Sequence, residues 1–235
     1  MQLLLDTRPH AANRSDRPAQ WPAVARPVSH PPKAECISAD IKDAALKRWR
    51  FDRINDGDRG STESFIAAQF NKAYGAKITG FMPELMGLYD NDALAAACGL
   101  RAAATGPMFL EQYLETPVEA VLGRATGTQI GRRTLVEVGN LSISRPGYAR
   151  HLVCSLTMHL RSIGMQWAVF SAVPTLRNNF QRLGIPLITM APASPDKLPA
   201  DIKASWGTYY DQQPQVTAVS VEAAFKALDR NSCNR

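Results

Sequence analysis

The sequence predicts an α/β (α+β) fold: a mixed β-sheet flanked by helices, with one nearly central parallel strand pair. Three observations lead there. Two apolar runs flank Asp90-Asn91-Asp92, the pattern of an antiparallel hairpin. The turn Arg145-Pro146-Gly147 joins a strand to a periodic helix that runs into a second apolar strand, the order of a right-handed parallel crossover. A further helix and apolar strand then complete a β-α-β-α-β run, and an architecture of this kind serves several unrelated chemistries.

Each element has its own signal. In RWRFDRIN, basic or polar residues alternate with Trp49, Phe51 and Ile54, as in a first strand. DGDRG reads as a turn. Phe65, Ile66, Phe70 and Tyr74 then recur at helical spacing, with Ser61 or Thr62 as N-cap and Gly75 just past the end. The hairpin spans MGLYDNDALAAACGLRAA, and FLEQYL into PVEAVLG reads as short helical stretches. TLVEVGNLSI is a strand, Ala149 to Ile163 a helix, WAVFSAV a buried strand, TLRNNFQRLG a helix and PLITM the last apolar strand. Residues 193 to 235 read as loop-rich, with aromatics at Trp206, Tyr209 and Tyr210. No internal repeat is visible.

Composition narrows the class. The 235 residues, 45% hydrophobic and 20% charged, suit one substantial core plus tails. Residues 1–40 hold six of the sixteen prolines and are expected to be a disordered tail. The expected organisation is this tail, a folded domain over 41–220 and a C-terminal helix or tail over 221–235. The tail has five basic and four acidic residues, so most of the +6 net charge belongs to the folded body and suits an acidic partner. Cys36, Cys98, Cys154 and Cys233 lie far apart, which implies neither a zinc site nor a disulfide framework and suits a reducing compartment. MQLLLD lacks a basic leader and a long apolar core, so a cytoplasmic location is expected. No uncharged apolar stretch approaches the roughly 18 residues of a membrane-spanning helix.

Few residues stand out chemically. SRPGYARHL leads into a helix N-terminus, where unpaired amides at the positive end of the dipole, flanked by Arg145 and Arg150, suit a pyrophosphate. A plain tight connection containing a glycine is the simpler reading of the same residues, and the two arginines add weight to the phosphate one. Strand alternation places Glu137 with Leu135 and Gly139, opposite Val136 and Val138. It is either an exposed-face carboxylate or one aimed into a cleft, where a raised pKa would let it deprotonate an amine. His10, His30, His151 and His159 assemble no metal triad, and no hydrolytic nucleophile motif is legible. Phe65, Phe70, Tyr74, Phe81 and Phe109 read as core. Arg48, Trp49 and Arg50 form too short a basic-aromatic stripe to indicate nucleic acid.

Two segments are familiar together. GLRAAATGPMFLEQYL, followed about twenty residues later by VEVGNLSI, resembles the core of the acyl-homoserine-lactone synthases, GNAT-like acyltransferases. NNFQRLGIPL resembles the last helix and strand of GNAT folds. From about Ile66 to Val219, including AYGA, FLEQYL, VEVGNL, LRNNFQRLGIPL and WGTYYD, the chain is similar to the bacterial family named thermostable hemolysin. The resemblance covers about two thirds of the chain.

The resemblance implies a GNAT-like sheet whose central parallel pair is splayed, and an N-acyltransferase that uses acyl-CoA or acyl-carrier protein as co-substrate and a small amine as acceptor. Arg101 matches the synthases' strand arginine and Glu137 their glutamate, a base or amine-orienting group. Asn140 falls where they have a second arginine, and Phe180 where many GNAT enzymes carry a tyrosine acid. Strand amides around Leu141 and Ile143 would polarise the thioester. The turn Arg145, Gly147, Tyr148, Ala149, Arg150 would hold the donor's phosphates, with Asn178 leading the last helix beside it. No covalently bound cofactor, nucleic acid or integral membrane association is implied. The alternatives are a membrane-active hemolysin and a non-catalytic GNAT-like binding protein.

Overall fold

A computed structural model describes residues 48–233. The expected disordered tail over residues 1–40 lies outside the described residues. Strand β1 (Trp49–Arg53) leads into helix α1 (Asp56–Tyr74). This helix starts a full turn earlier than the sequence suggests, because the Asn55 side chain caps it by accepting from the Asp58 amide at 2.8 Å, and Asp56 and Asp58 favour the positive end of the dipole. DGDRG is therefore helix rather than turn. Ser61 and Thr62 lie inside it, each hydroxyl donating back to the Asp58 carbonyl. Gly75, at φ 65°, closes the helix as expected.

Strands β2 (Glu84–Asp90) and β3 (Ala93–Ala102) form the hairpin, with Asn91 at φ 55° in its two-residue turn. A 3₁₀ turn (Phe109–Tyr113) and α2 (Val118–Thr126) precede β4 (Leu135–Ile143). Helix α3 (Tyr148–Ser162), β5 (Trp167–Ala172), α4 (Pro174–Arg182) and β6 (Ile188–Pro192) follow near the expected places. The last stretch is more ordered than a loop-rich reading allows. It holds α5 (Ala200–Ser205), β7 (Gln215–Ser220) and α6 (Val221–Cys233).

The seven strands form one mixed sheet in the order β1-β2-β3-β4-β5-β7-β6, and only β4 and β5 run parallel. β7 inserts between β5 and β6, antiparallel to both, so β6 does not pair with the strand that precedes it. β4 and β5 are in register only at Leu135↔Trp167, Val136↔Ala168 and Glu137↔Val169. Beyond that point each continues with its outer neighbour alone, which produces the expected splay.

Both faces of the sheet are covered, as a sheet with two apolar faces requires. On one face Met86, Leu88, Leu100, Val136 and Val138 pack under α3 and α6 through Leu152, Leu160, Ala224 and Leu228. On the other, Leu135, Val169 and Val216 pack under Leu110, Tyr113, Val118 and Leu122, while Leu85 and Ala97 meet Ile66 of α1. The expected core aromatics Phe65, Phe70, Tyr74 and Phe81 flank the Ile66 cluster. A β-bulge at Asn140, φ 51°, shifts the β3–β4 register between Gly99↔Gly139 and Ala97↔Ser142. The extra residue changes the alternation, so Leu141 and Ile143 join Val138 on the α3 face.

Candidate functional site

The central part of β4 lies where the parallel pair opens, and its side chains on the α1 face tie down two loops. Glu137 belongs to the last paired position and is 2% exposed. Its Oε2 accepts from the Phe109 amide at 2.9 Å and its Oε1 from the Leu110 amide at 2.8 Å. Of the two sequence readings, the carboxylate is thus the inward one. Burial raises its pKa, and the two backbone donors, with the nearby Arg101 charge, oppose that rise by favouring the ionised form.

Arg101 is the register partner of Glu137 on β3, and its guanidinium donates to the Pro107 carbonyl at 3.1 Å. Asn140 accepts from the Met82 amide at 2.8 Å through Oδ1, which secures the loop after α1 to the bulge. Between them lies a notch without side chains. A Cβ built on Gly99 would stand 2.4 Å from Met82 Cβ, and one on Gly139 2.4 Å from Met82 Cε, so the Met82 side chain fills the space the two glycines leave. Arg101, Glu137 and Asn140 therefore sit on adjacent strands around the opening, and the last two hold the segments that roof it.

Arg132 was not singled out by any motif, yet it organises this roof. Nε donates to the Ala103 carbonyl at 2.9 Å and Nη2 to that of Gly106 at 2.9 Å. Nη1 and Nη2 grip the Glu111 carboxylate at 2.6 and 2.9 Å, and Nη1 also reaches Glu119 at 2.7 Å. The Arg132 hydrogen bond holds the Glu111 carboxyl at about 2. Glu111 in turn accepts from the Met108 amide at 2.9 Å. Three successive amides, 108 to 110, thus donate to carboxylates, the first to Glu111 and the next two to Glu137. Only the arginine pair before β4 in GRRT hints at this, and arginines in loops are common.

On the α3 face the opening is apolar. A cavity of about 30 Å³ lies among Val138, Leu141, Leu152, Phe170, Phe180 and Ala224, room for about a water or two. Phe180 is buried and stacks on Phe170 with centroids 5.3 Å apart. Leu141 lines this space and Ile143 packs at its edge. Asn178 is exposed on α4.

The turn into α3 departs from expectation. The Tyr148 and Ala149 amides are not unpaired. They donate to the Arg145 and Pro146 carbonyls at 3.1 and 3.3 Å. Gly147 takes ordinary right-handed helical angles, φ −62° and ψ −19°. Tyr148 donates its hydroxyl to Asp90 at 3.1 Å and meets Trp49 edge-on, and Trp49 stacks on His151 at 4.0 Å. Arg145 is exposed and Arg150 half-buried, leaving two guanidinium groups beside the helix start. Among the described residues, no group of three or more His, Cys, Asp or Glu is placed to hold a metal ion. No helix among them is long and apolar enough to cross a membrane.

The fold is shared with solved structures of low sequence identity. The AHL synthase LasI is 13% identical over 77% of this chain and 93% of its own, with a TM-score of 0.52. MesI, a CoA-dependent acyl-homoserine lactone synthase, is 14% identical over 77% and 94%, with a TM-score of 0.51. TofI, solved with an inhibitor and MTA, is 11% identical over 77% and 96%, with a TM-score of 0.52. No curated protein matches the chain. The sequence pattern of one family spans residues 53–225, from the end of β1 into α6, and so takes in the whole site. The chain belongs to the thermostable hemolysin family.

Proposed function

We propose that this protein transfers an acyl group from a thioester, acyl-CoA or acyl-carrier protein, to a small amine. The observation behind the reading is the parting of β4 and β5 directly after Glu137↔Val169, with a buried carboxylate at the fork. Strands that stop pairing leave backbone amides and carbonyls without partners in the sheet, and an extended pantetheine arm with its own amides is a suitable occupant of such a gap. An acyl chain enters the apolar side, among Val138, Leu141 and Phe180. The amine approaches from the α1 face, where Glu137 and Arg101 lie.

In this mechanism the bulged segment around Asn140 and Leu141 polarises the thioester carbonyl with a main-chain amide. Glu137 holds the ammonium and takes its proton, directly or through water. Its raised pKa brings a carboxylate closer to that work, and each oxygen has spare accepting capacity beyond its backbone donor. The Phe109–Leu110 amides fix the carboxylate so that it needs no reorientation on binding. Arg145 and Arg150 meet the donor's phosphates by charge, since the Tyr148 and Ala149 amides are engaged in the turn. Asn178, exposed on α4, takes no part in this mechanism. The reaction belongs in the cytoplasm, where acyl thioesters are made.

The test follows free thiol while purified protein is mixed with panels of acyl-CoAs, acyl-carrier proteins and amines. Thiol release that needs both donor and amine, and that Glu137→Gln abolishes, is the expected result. No consumption of any donor, or full activity of Glu137→Gln, overturns the reading. The family's name suggests red-cell lysis as a second reading. Haemoglobin release by purified protein without any thioester would favour it.

A further inference from the structure

The α1 face of the fork holds a trench that the chain fills with one of its own side chains. Gly99↔Gly139 and Arg101↔Glu137 are register pairs two residues apart on β3 and β4, so all of these residues share one face. The glycine pair stands one rung, about 7 Å, along from the carboxylate. A strand glycine leaves room for whatever approaches the sheet, and two that face each other leave a gap across both strands. The Met82 side chain lies in this gap as a bar. Its Cβ stands over Gly99 and its Cε over Gly139, each 2.4 Å from where a glycine Cβ would be.

The other sides of the space around Glu137 are set by backbone and packed core. The 3₁₀ turn covers it through the Phe109 and Leu110 amides. Leu135, one rung away in the opposite direction from Gly139, and Val169, beside Glu137 on β5, are both fully buried. The remaining side is Met82, whose backbone is held without help from its side chain. Its amide donates to Asn140 Oδ1 at 2.8 Å, and Arg59 donates to the Met82 carbonyl at 2.9 Å and to the Pro83 carbonyl at 3.0 Å. Arg59 is itself paired with Glu63 at 2.8 Å. Loss of the side chain therefore empties the trench and leaves the loop in place. An unbranched thioether suits such a wall, since it fills irregular space and can shift.

We propose that Met82 is the specificity-determining residue that sets the size of the amine acceptor. The inference rests on the acyl-transfer reading above. An amine with its nitrogen at Glu137 has Met82 as the next group along the strands. The rung spacing of about 7 Å, less a van der Waals contact of about 4 Å, leaves about 3 Å, the reach of about two carbon–carbon bonds. The wall thus selects a small primary amine, and its removal lets the trench between Gly99 and Gly139 take a longer chain.

The experiment measures kcat/KM by thiol release from the thioester that wild type consumes fastest, with two series of acceptors: unbranched primary amines from ethylamine to hexylamine, and α-amino acids from alanine to norleucine. The ratio of the longest to the shortest acceptor is read within one protein sample, so any loss of folded protein cancels. In Met82→Ala the ratio should rise about 15-fold, about fourfold for each of two methylenes that the emptied trench holds. Met82→Val, which shortens the bar and keeps apolar contact, should raise it about fourfold and carries the test if the alanine variant does not fold. An unchanged ratio in either folded variant overturns the role of Met82 and leaves acyl transfer standing. A wild-type protein that releases no thiol with any acceptor overturns the acyl-transfer reading and the role of Met82 with it.

Discussion

The Leu110 amide donates to Glu137 Oε1 at 2.8 Å, so the carboxylate at the fork is also the anchor of the 3₁₀ turn that covers it. In the proposed reaction, catalytic placement and local stability therefore depend on one side chain. In Glu137→Gln, the amide group can accept from only one of the Phe109 and Leu110 N–H donors, and the other is left buried without a partner. We expect a loss of about 1–3 kcal/mol in unfolding free energy, measured by urea denaturation, together with loss of thiol release. A variant as stable as wild type would contradict the anchoring role.

Two carboxylates of this site titrate in opposite senses. Glu111 is held at about 2 by Arg132, below its ordinary 4.5, so its contribution is present above about pH 4.5 and is lost as pH falls toward 2. Glu137 is raised, so the folded state favours its protonated form, and stability falls as pH rises through its folded pKa. Unfolding measured between pH 2 and 7 should show a steep acid loss in wild type. It should flatten in Glu111→Gln by about 2 kcal/mol, a figure discounted for the partial exposure of Arg132. An unchanged profile would remove Glu111 from the account.

The two glycines under Met82 are not equivalent. A methyl group at Gly139 meets the end of the Met82 side chain, which can swing away, whereas one at Gly99 meets its Cβ. Gly139→Ala should cost under about 1 kcal/mol and Gly99→Ala about 1–3 kcal/mol. Adding Met82→Ala should relieve the first and not the second. Thermal melting of the four variants checks this, and equal costs at both glycines would contradict the packing described.

Much of the frame was legible because it rests on local signals. The hairpin followed from Asp90-Asn91-Asp92 and α3 from its periodicity, whereas strand alternation grouped Glu137 with Leu135 and Gly139 and left open whether that face was exposed or turned inward. The start of α1 was missed because its cap is Asn55 and its first turn, DGDRG, carries the two glycines and the aspartates typical of loops. β7 was missed because its place between β5 and β6 depends on long-range pairing, which a short run such as QVTAVS does not announce. Within the site, residues on one strand were found and those supplied from afar were not. Arg132 acts through the carbonyls of Ala103 and Gly106, which lie 29 and 26 residues earlier in the chain.

In the proposed reaction the apolar side of the fork sets the acyl chain. With about 30 Å³ free beside Phe180, wild type should prefer short chains. Phe180→Leu should cost about 1–2 kcal/mol of stability and move the preferred chain up by one or two carbons. Each added methylene should then gain about fourfold in kcat/KM, the worth of about 0.8 kcal/mol. A chain-length profile identical to wild type would place the acyl group elsewhere.

The most direct measurement is a crystal structure with a thioether analogue of a short acyl-CoA, which binds and does not react. The pantetheine arm is expected between residues 138–143 of β4 and 170–172 of β5, with the acyl end toward Phe180. An analogue bound outside the fork, or a fork that stays closed at saturating analogue, would contradict it.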